Sequence, residues 1–492
     1  MYDTTAAYLF RFFWALFLSF MLVFSFRRSW KAERGEKTYL LYGKNDTVIL
    51  LDPLVLPVCI GIYSGMCLLL YRWEKSRGIL FSLGIDLFFF VTVYFSLLLV
   101  LLPFLRKHYT AKTCAAFWLI PVFLFYQPNI VYTSCVLPTK AVFYIPRFAV
   151  STLLFIWLAG FAGIFLMQIL SHLHFSRILK KHSQPVDDPE LLAIWKRVKQ
   201  EIRLGDLTSP IKLRYSSLAA SPLTVGMFRA NCTTYLPRRS FSPEEAELIF
   251  SHELHHIQRH DTHTKFFLRF CCAIGWLHPL VWLAVRKAED DLELSCDEIV
   301  LQNADSQKRR QYAELLLSSA GDPRGYTTCL SASAKALRYR LNATLSQQKR
   351  KLGLGLLFLA MMAGSFSVGN FALTTERGPL PKVTAIKDIR IQTASFLPEG
   401  IQGDGAELSL KDTKALSLYL EQLEAEKFLT LYQEREKTES PALYGVFADE
   451  EIHFTFYLSG SVMTIYDIID SNITSSQYYI RSPIDWDYLQ SL

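Results

Sequence analysis

Apolar residues along this chain come in long blocks instead of the short alternations of an ordinary soluble enzyme. Six blocks read as candidate membrane spans: Phe12 to Phe26, Val48 to Leu70, Ile79 to Leu105, Ala115 to Leu137, Phe148 to Leu170 and Leu352 to Leu373. Arg11 extends the first by snorkelling, whereas Gln127, Pro128 and Asn129 interrupt the fourth. The first block is not a secretory signal, because it lacks a basic leader and a small-x-small site before Arg27 and Arg28. A seventh apolar run, Phe266 to Val285, is broken by Arg269, Gly275 and His278-Pro279; it predicts two packed or membrane-apposed helices.

Between the fifth and sixth blocks the pattern becomes that of a folded soluble body. Asp188 to Ile202 is amphipathic; Ile211 to Tyr215 and Cys232 to Leu236 are short strands, with Ser221-Pro222 and Gly226 as turn signals between them. Ser242, Pro243 and Glu245 form a capping-box pattern that opens a helix running to about His260. Another helix spans Arg286 to about Gln302. After the sixth block, a Gly-Pro linker leads to a strand at Lys382 to Thr393 and a helix at Asp412 to Glu426. Alternating runs then follow at Ala442 to Phe447, Glu451 to Leu458 and Ser461 to Tyr466, with Ser459-Gly460 as a hairpin turn. Tyr444, Phe454, Phe456, Tyr457 and Tyr466 read as ordinary sheet residues, and nothing in the tail names a ligand.

Composition and charge place these bodies. With 51% hydrophobic and 14% aromatic residues, the 492-residue chain exceeds soluble norms and belongs in a bilayer. Arg27, Arg28, Lys31, Arg34, Lys37 and Lys44 follow the first span, Arg106, Lys107 and Lys112 the third, and Arg177, Lys180 and Lys181 the fifth. Arg338, Arg340, Lys349, Arg350 and Lys351 precede the sixth. By the positive-inside rule these loops are cytoplasmic, with only Arg72, Lys75 and Arg77 discordant. From Leu373 onward, ten Lys and Arg face nineteen Asp and Glu, a net of −9, while the remainder carries +16. The basic residues flank spans and form no single stripe, so no direct nucleic-acid binding is expected. All nine cysteines precede residue 330, so disulfides do not staple the tail.

The expected class is a multi-pass α-helical membrane protein with a cytoplasmic α+β domain and a small α+β C-terminal extracellular domain. Its divisions are residues 1–171 (about five spans), 172–351 (the cytoplasmic domain), 352–373 (a transmembrane helix) and 374–492 (an external, sensor-like domain).

The chemistry rests on His252-Glu253-Leu254-His255-His256. Four residues are just over one helical turn, so His252 and His256 share a face and reach one Zn²⁺, while Glu253 sits about 100° round the helix and serves as proton acceptor. Glu293 is the third candidate ligand: Glu289, Glu293 and Asp297 recur every four residues on one helix face. Cys296 ranks below it, and Asp297 stands behind the ligands. His255, His260 and His263 read as solvent-facing or helix-capping, and the strand Cys232 to Leu236 as an edge for an extended substrate.

Ser221-Pro222-Leu223-Thr224-Val225-Gly226, Tyr235-Leu236-Pro237, His252-Glu253-x-x-His256 and Glu293-x-x-Cys296-Asp297 together resemble the BlaR/MecR-type membrane metallopeptidases, antirepressor sensors of β-lactam resistance. The resemblance covers about residues 185 to 305 and the surrounding spans. It implies a gluzincin-type zinc domain, His252, His256 and Glu293 as ligands, Glu253 as general base and Asp297 orienting a ligand histidine. It also implies a signalling endopeptidase that cuts itself or a cytoplasmic regulator. The expected partners are a protein substrate, with a transcriptional repressor as candidate, the lipid bilayer, and a second copy in a homodimer. The alternative is a receptor or quality-control protease whose zinc domain is housekeeping or structural. Two departures stand out: five spans before the zinc domain exceed the family layout, and no serine after Leu373 has lysine three residues on, as a β-lactam-acylated serine requires.

Overall fold

The computed structural model describes residues 4–34, 47–49, 51–71, 73–126, 139, 141–202, 204, 211–319, 334–345, 350–367, 371–380, 390–397, 408–430, 441–448, 453–469 and 472–492. Among them, three helices contain stretches long and apolar enough to cross a membrane. These are α1 (Thr4–Glu33), α3 (Trp73–His108) and α5 (Arg147–Lys181). The second and sixth blocks form shorter apolar helices, α2 (Val55–Leu70) and α12 (Leu354–Ser367). The fourth block departs most from expectation. Its described part is a buried seven-residue helix, α4 (Ala111–Phe117), followed by a 3-10 turn at Ile120–Tyr126; residues 127–138 lie outside the described residues.

Arg11 does not snorkel. It is fully buried, and its Nε donates to the Ser365 carbonyl on α12 at 2.7 Å, tying α1 to α12. The run Phe266 to Val285 does form two helices, α8 (Asp261–Ile274) and α9 (Pro279–Val300), broken where Gly275 and Pro279 interrupt the pattern. Their apolar faces join the core of α1, α3, α4 and α12. Phe266 and Phe270 pack on Phe165 of α5, and Trp276 Nε1 donates to the Trp157 carbonyl. Gly160 of α5 lies so close to the Trp276 ring that a Cβ there would collide with it.

The segment between α5 and α12 builds a second core. Strands β2 (Ser183–Pro185), β3 (Lys212–Ser216), β4 (Leu223–Val225) and β5 (Thr233–Leu236) form a sheet in the order β2-β3-β5-β4. Helix α6 (Pro189–Glu201), capped by Asp188, packs with α7 (Pro243–Gln258). Helices α10 (Ser306–Ser319) and α11 (Ala334–Leu345) complete it. The predicted capping box is present: Ser242 Oγ accepts from the Glu245 N–H, and Glu245 from the Ser242 N–H. Strand β4 falls between the two turn signals and escapes a reading based on them. It ends at Gly226, whose φ of +144° and contact with the Cys232 backbone leave no room for a side chain.

In the tail, the apolar pattern of the sixth block overruns its helix. Helix α12 stops at Ser367, and Phe371–Pro379 is a strand, β6, so Gly378-Pro379 ends a strand and is no linker. Strand β6 pairs in parallel with β1 (Ala141–Tyr144), from the segment before α5. The other strands are β7 (Arg390–Leu397), β8 (Leu408–Ser409), β9 (Glu424–Phe428), β10 (Ala442–Ala448), β11 (His453–Ser459), β12 (Val462–Ile469) and β13 (Asn472–Ile480). With β1 and β6 they make a nine-stranded sheet, β1-β6-β9-β13-β12-β11-β10-β7-β8. The helix α13 (Thr413–Gln422) is capped by Asp412, and α14 (Trp486–Ser491) adds Leu489 to the tail's core. The β11–β12 hairpin turns at Gly460 with φ of +54°, one residue into the predicted Ser459-Gly460 turn.

Candidate metal centre

Helix α7 brings two imidazoles to one point. His252 Nε2 lies 3.1 Å from His256 Nε2, and Glu293 Oε2, from α9, lies 3.5 Å from each. Two imidazole lone pairs and a carboxylate oxygen this close repel unless a cation or proton stands between them. The three distances define a triangle with a circumradius of about 2.0 Å, the length of a Zn–N or Zn–O bond, so the donor set fits zinc. Cys296 Sγ also falls within 4.8 Å of the histidines' donor atoms, but its thiol is directed to the His252 carbonyl at 3.4 Å. Glu293 Oε2 is thus equidistant from both imidazoles, while the Cys296 thiol is engaged with a backbone carbonyl.

Around this triad runs a shell that the sequence only partly discloses. His260, the second residue after α7, takes the left-handed conformation at φ 53°. That reversal carries Asp261 back to His256, where Oδ2 accepts from Nδ1 at 2.6 Å and leaves Nε2 for a metal. Arg259, fully buried, holds Asp261 through Nε and Nη2. On the other histidine, His252 Nδ1 lies 2.9 Å from Tyr312 Oη, and Tyr312 donates to Asp297 Oδ1 at 2.6 Å. Asp297 itself is 3.4 Å from His252 Nδ1, so it reaches that ring chiefly through Tyr312, and Arg340 grips it with Nε and Nη2 at 2.7 Å each. Lys265 Nζ takes the second oxygen of Glu293, Oε1, at 3.0 Å.

Charge follows from these contacts. Burial alone would raise the Glu293 carboxyl, but Lys265 and His256 outweigh it and hold it well below the usual carboxylate range. Burial likewise pulls His256 down, yet Glu293 and Asp261 push it up to about 9 in the metal-free chain. A metal held by His256 at neutral pH would have to displace that proton.

Glu253 stands apart from the triad. Its Oε2 accepts from Thr224 Oγ1 at 2.7 Å, and Thr224 is hydrogen-bonded to Thr234. Strand β4, which carries Thr224, is the sheet's edge. The expected edge, Cys232 to Leu236, is instead interior, since β5 is paired with β3 on one side and β4 on the other. The three extra histidines are neither solvent-facing nor side-chain caps. His255 is buried with Nδ1 on the Ser251 carbonyl, His263 is buried beside Asp52, and His260, at the N-cap of α8, makes no capping bond. Asp261, Lys265, Tyr312 and Arg340 were not legible as site residues, because each arrives through a chain reversal or a neighbouring helix.

Asp261→Asn is expected to lower zinc affinity about 10- to 100-fold, because the amide holds the His256 ring without the carboxylate's charge. A chelator titration reads it, and unchanged affinity would remove Asp261 from the site.

A triad of this kind, behind an edge strand and among apolar helices, defines a membrane-associated peptidase. A family model described as BlaR1 peptidase M56 matches residues 89–343, more than half of the chain, and the chain belongs to that family. The regulatory protein BlaR1 of Bacillus licheniformis is 29% identical over 239 residues, which cover 46% of this chain and 39% of that protein. The alignment thus spans well under half of that relative's length, and the family match ends before the tail.

Proposed function

We propose that the chain is a zinc-dependent endopeptidase that couples an external signal to cleavage of a cytoplasmic regulator, of itself, or of both. The observation that carries it is the convergence of one donor atom each from His252, His256 and Glu293 to within 3.5 Å of one another, with Glu253 fastened to an edge strand. Zinc held there would polarise a peptide carbonyl and make water acidic enough to yield a nucleophile near neutral pH. The chain's own residues do the rest. An extended substrate pairing with β4 passes directly beside Glu253. The Thr224 hydroxyl fixes one Glu253 oxygen, leaving the other to take the water's proton and return it to the leaving amine.

Signalling is supported by how α9 is moored. One face carries Glu293 and Asp297. The other is tied to α3 and α4: Asp291 accepts from Arg106 and Trp118 at 2.8 Å each, and Glu298 accepts from the Ala111 N–H. Further back along α3, near its middle, Asp86 accepts from the Phe371 N–H of β6, and Phe89 packs on Phe371. Thus α3 touches both the tail sheet and the helix holding the third ligand, an arrangement that favours opposite sides of the bilayer for the two bodies. Cells expressing the wild-type chain or Glu253→Gln, compared by N-terminal mapping of their proteins, test the proposal. New cytoplasmic termini, or termini inside this chain, are expected only with wild type; their absence would overturn it.

The signal is proposed to be other than a β-lactam. Acylation needs a serine whose proton passes to a nearby lysine, and no serine from Ser395 to Ser491 has lysine at the third following position. The full chain is expected to stay unlabelled by a fluorescent penicillin, and stoichiometric labelling of the tail on intact-mass analysis would restore antibiotic sensing.

A further inference from the structure

A second cluster of ligand-type side chains lies beyond the metal centre, and none of its members serves that centre. Asp52 belongs to the segment between α1 and α2, His260 to the left-handed turn after α7, and His263 to the first turn of α8. One donor atom from each lies within 4.8 Å of the other two. Asp52 Oδ2 is 2.7 Å from His263 Nδ1 and 4.0 Å from His260 Nδ1, and the two imidazoles meet edge to face at 4.9 Å. His263 is 3% exposed and packs on Phe228. Its Nε2 is buried with no hydrogen-bond partner among the described residues.

We propose that Asp52, His260 and His263 form a second zinc site. Two imidazoles and one carboxylate are a donor set for borderline divalent metals, Zn²⁺ foremost, and too nitrogen-rich for Ca²⁺ or Mg²⁺. Binding requires only that the imidazoles be neutral, and no electron transfer is involved. The location gives the site a regulatory character. The same backbone reversal that places His260 beside Asp52 delivers Asp261 to His256, so a metal here clamps the α1–α2 segment to the turn that orients a ligand of the first centre.

The test uses the purified full chain in detergent, with Glu253→Gln as an inactive background, titrated with Zn²⁺ against a competing chromophoric chelator. Two equivalents per chain are expected. His263→Ala should bind one. Asp52→Asn, whose side chain is 22% exposed and which is therefore least apt to disturb folding, should weaken one equivalent at least tenfold and leave the other unchanged. His252→Ala should lose the complementary equivalent. A single equivalent that His252→Ala abolishes and Asp52→Asn leaves intact would overturn the second site while sparing the first. A single equivalent with the opposite dependence would uphold this site and sink the first. Two equivalents that persist at full affinity in both Asp52→Asn and His260→Ala would also overturn it.

Discussion

Glu253→Gln is expected to retain zinc and to lose peptide cleavage by roughly 10³-fold, the scale of general acid–base catalysis. The amide is nearly isosteric with the carboxylate, and its oxygen still accepts from Thr224 Oγ1, so the side chain keeps its place. What it loses is the capacity to take a proton. The three converging donors are untouched, since Glu253 is not one of them. Zinc content and turnover measured on one preparation separate the two roles. An undiminished cleavage rate would place the active centre elsewhere, whereas loss of zinc would make Glu253 a structural residue.

Much of this site could be read along the chain because its parts are local. His252, Glu253 and His256 occupy two turns of a helix whose start is announced by Ser242, Pro243 and Glu245, and helical spacing alone decides which side chains share a face. Glu293 and Asp297 were readable for the same reason, being one turn apart on α9. What stayed hidden depends on tertiary approach. Tyr312 and Arg340 meet Asp297 from α10 and α11, and no spacing rule joins residues that far apart. Asp261 hides for a subtler reason: it follows the metal helix closely, but only the left-handed turn at His260 points it backward. Strand β4 was lost because three residues between turn signals carry too little pattern to register as a strand. The described residues of the apolar blocks show the converse case. Hydropathy marked the fourth and sixth blocks as full spans, but burial against neighbouring helices also demands apolar residues, as in α4, and so does a sheet strand, as in β6.

Glu293→Gln should strip the first centre of zinc more completely than any outer change. The substitution keeps shape and removes the one anionic ligand, so the affinity loss should exceed the about 10- to 100-fold expected for an outer-shell change such as Asp261→Asn. Cys296→Ser, three residues on, should bind zinc like wild type, because its thiol is directed to the His252 carbonyl. Proton release adds an independent readout. Glu293 and Asp261 hold His256 up at about 9 in the metal-free chain, so its protonated form competes with zinc throughout neutral pH. Wild-type affinity should therefore rise with pH through neutrality and level off above about 9. Removing the Glu293 charge lowers the His256 value, so the residual affinity of Glu293→Gln should depend less on pH between 7 and 9. Isothermal titration in buffers of different ionisation enthalpy counts the released protons. Full zinc affinity in Glu293→Gln together with loss in Cys296→Ser would transfer the third ligand to the cysteine.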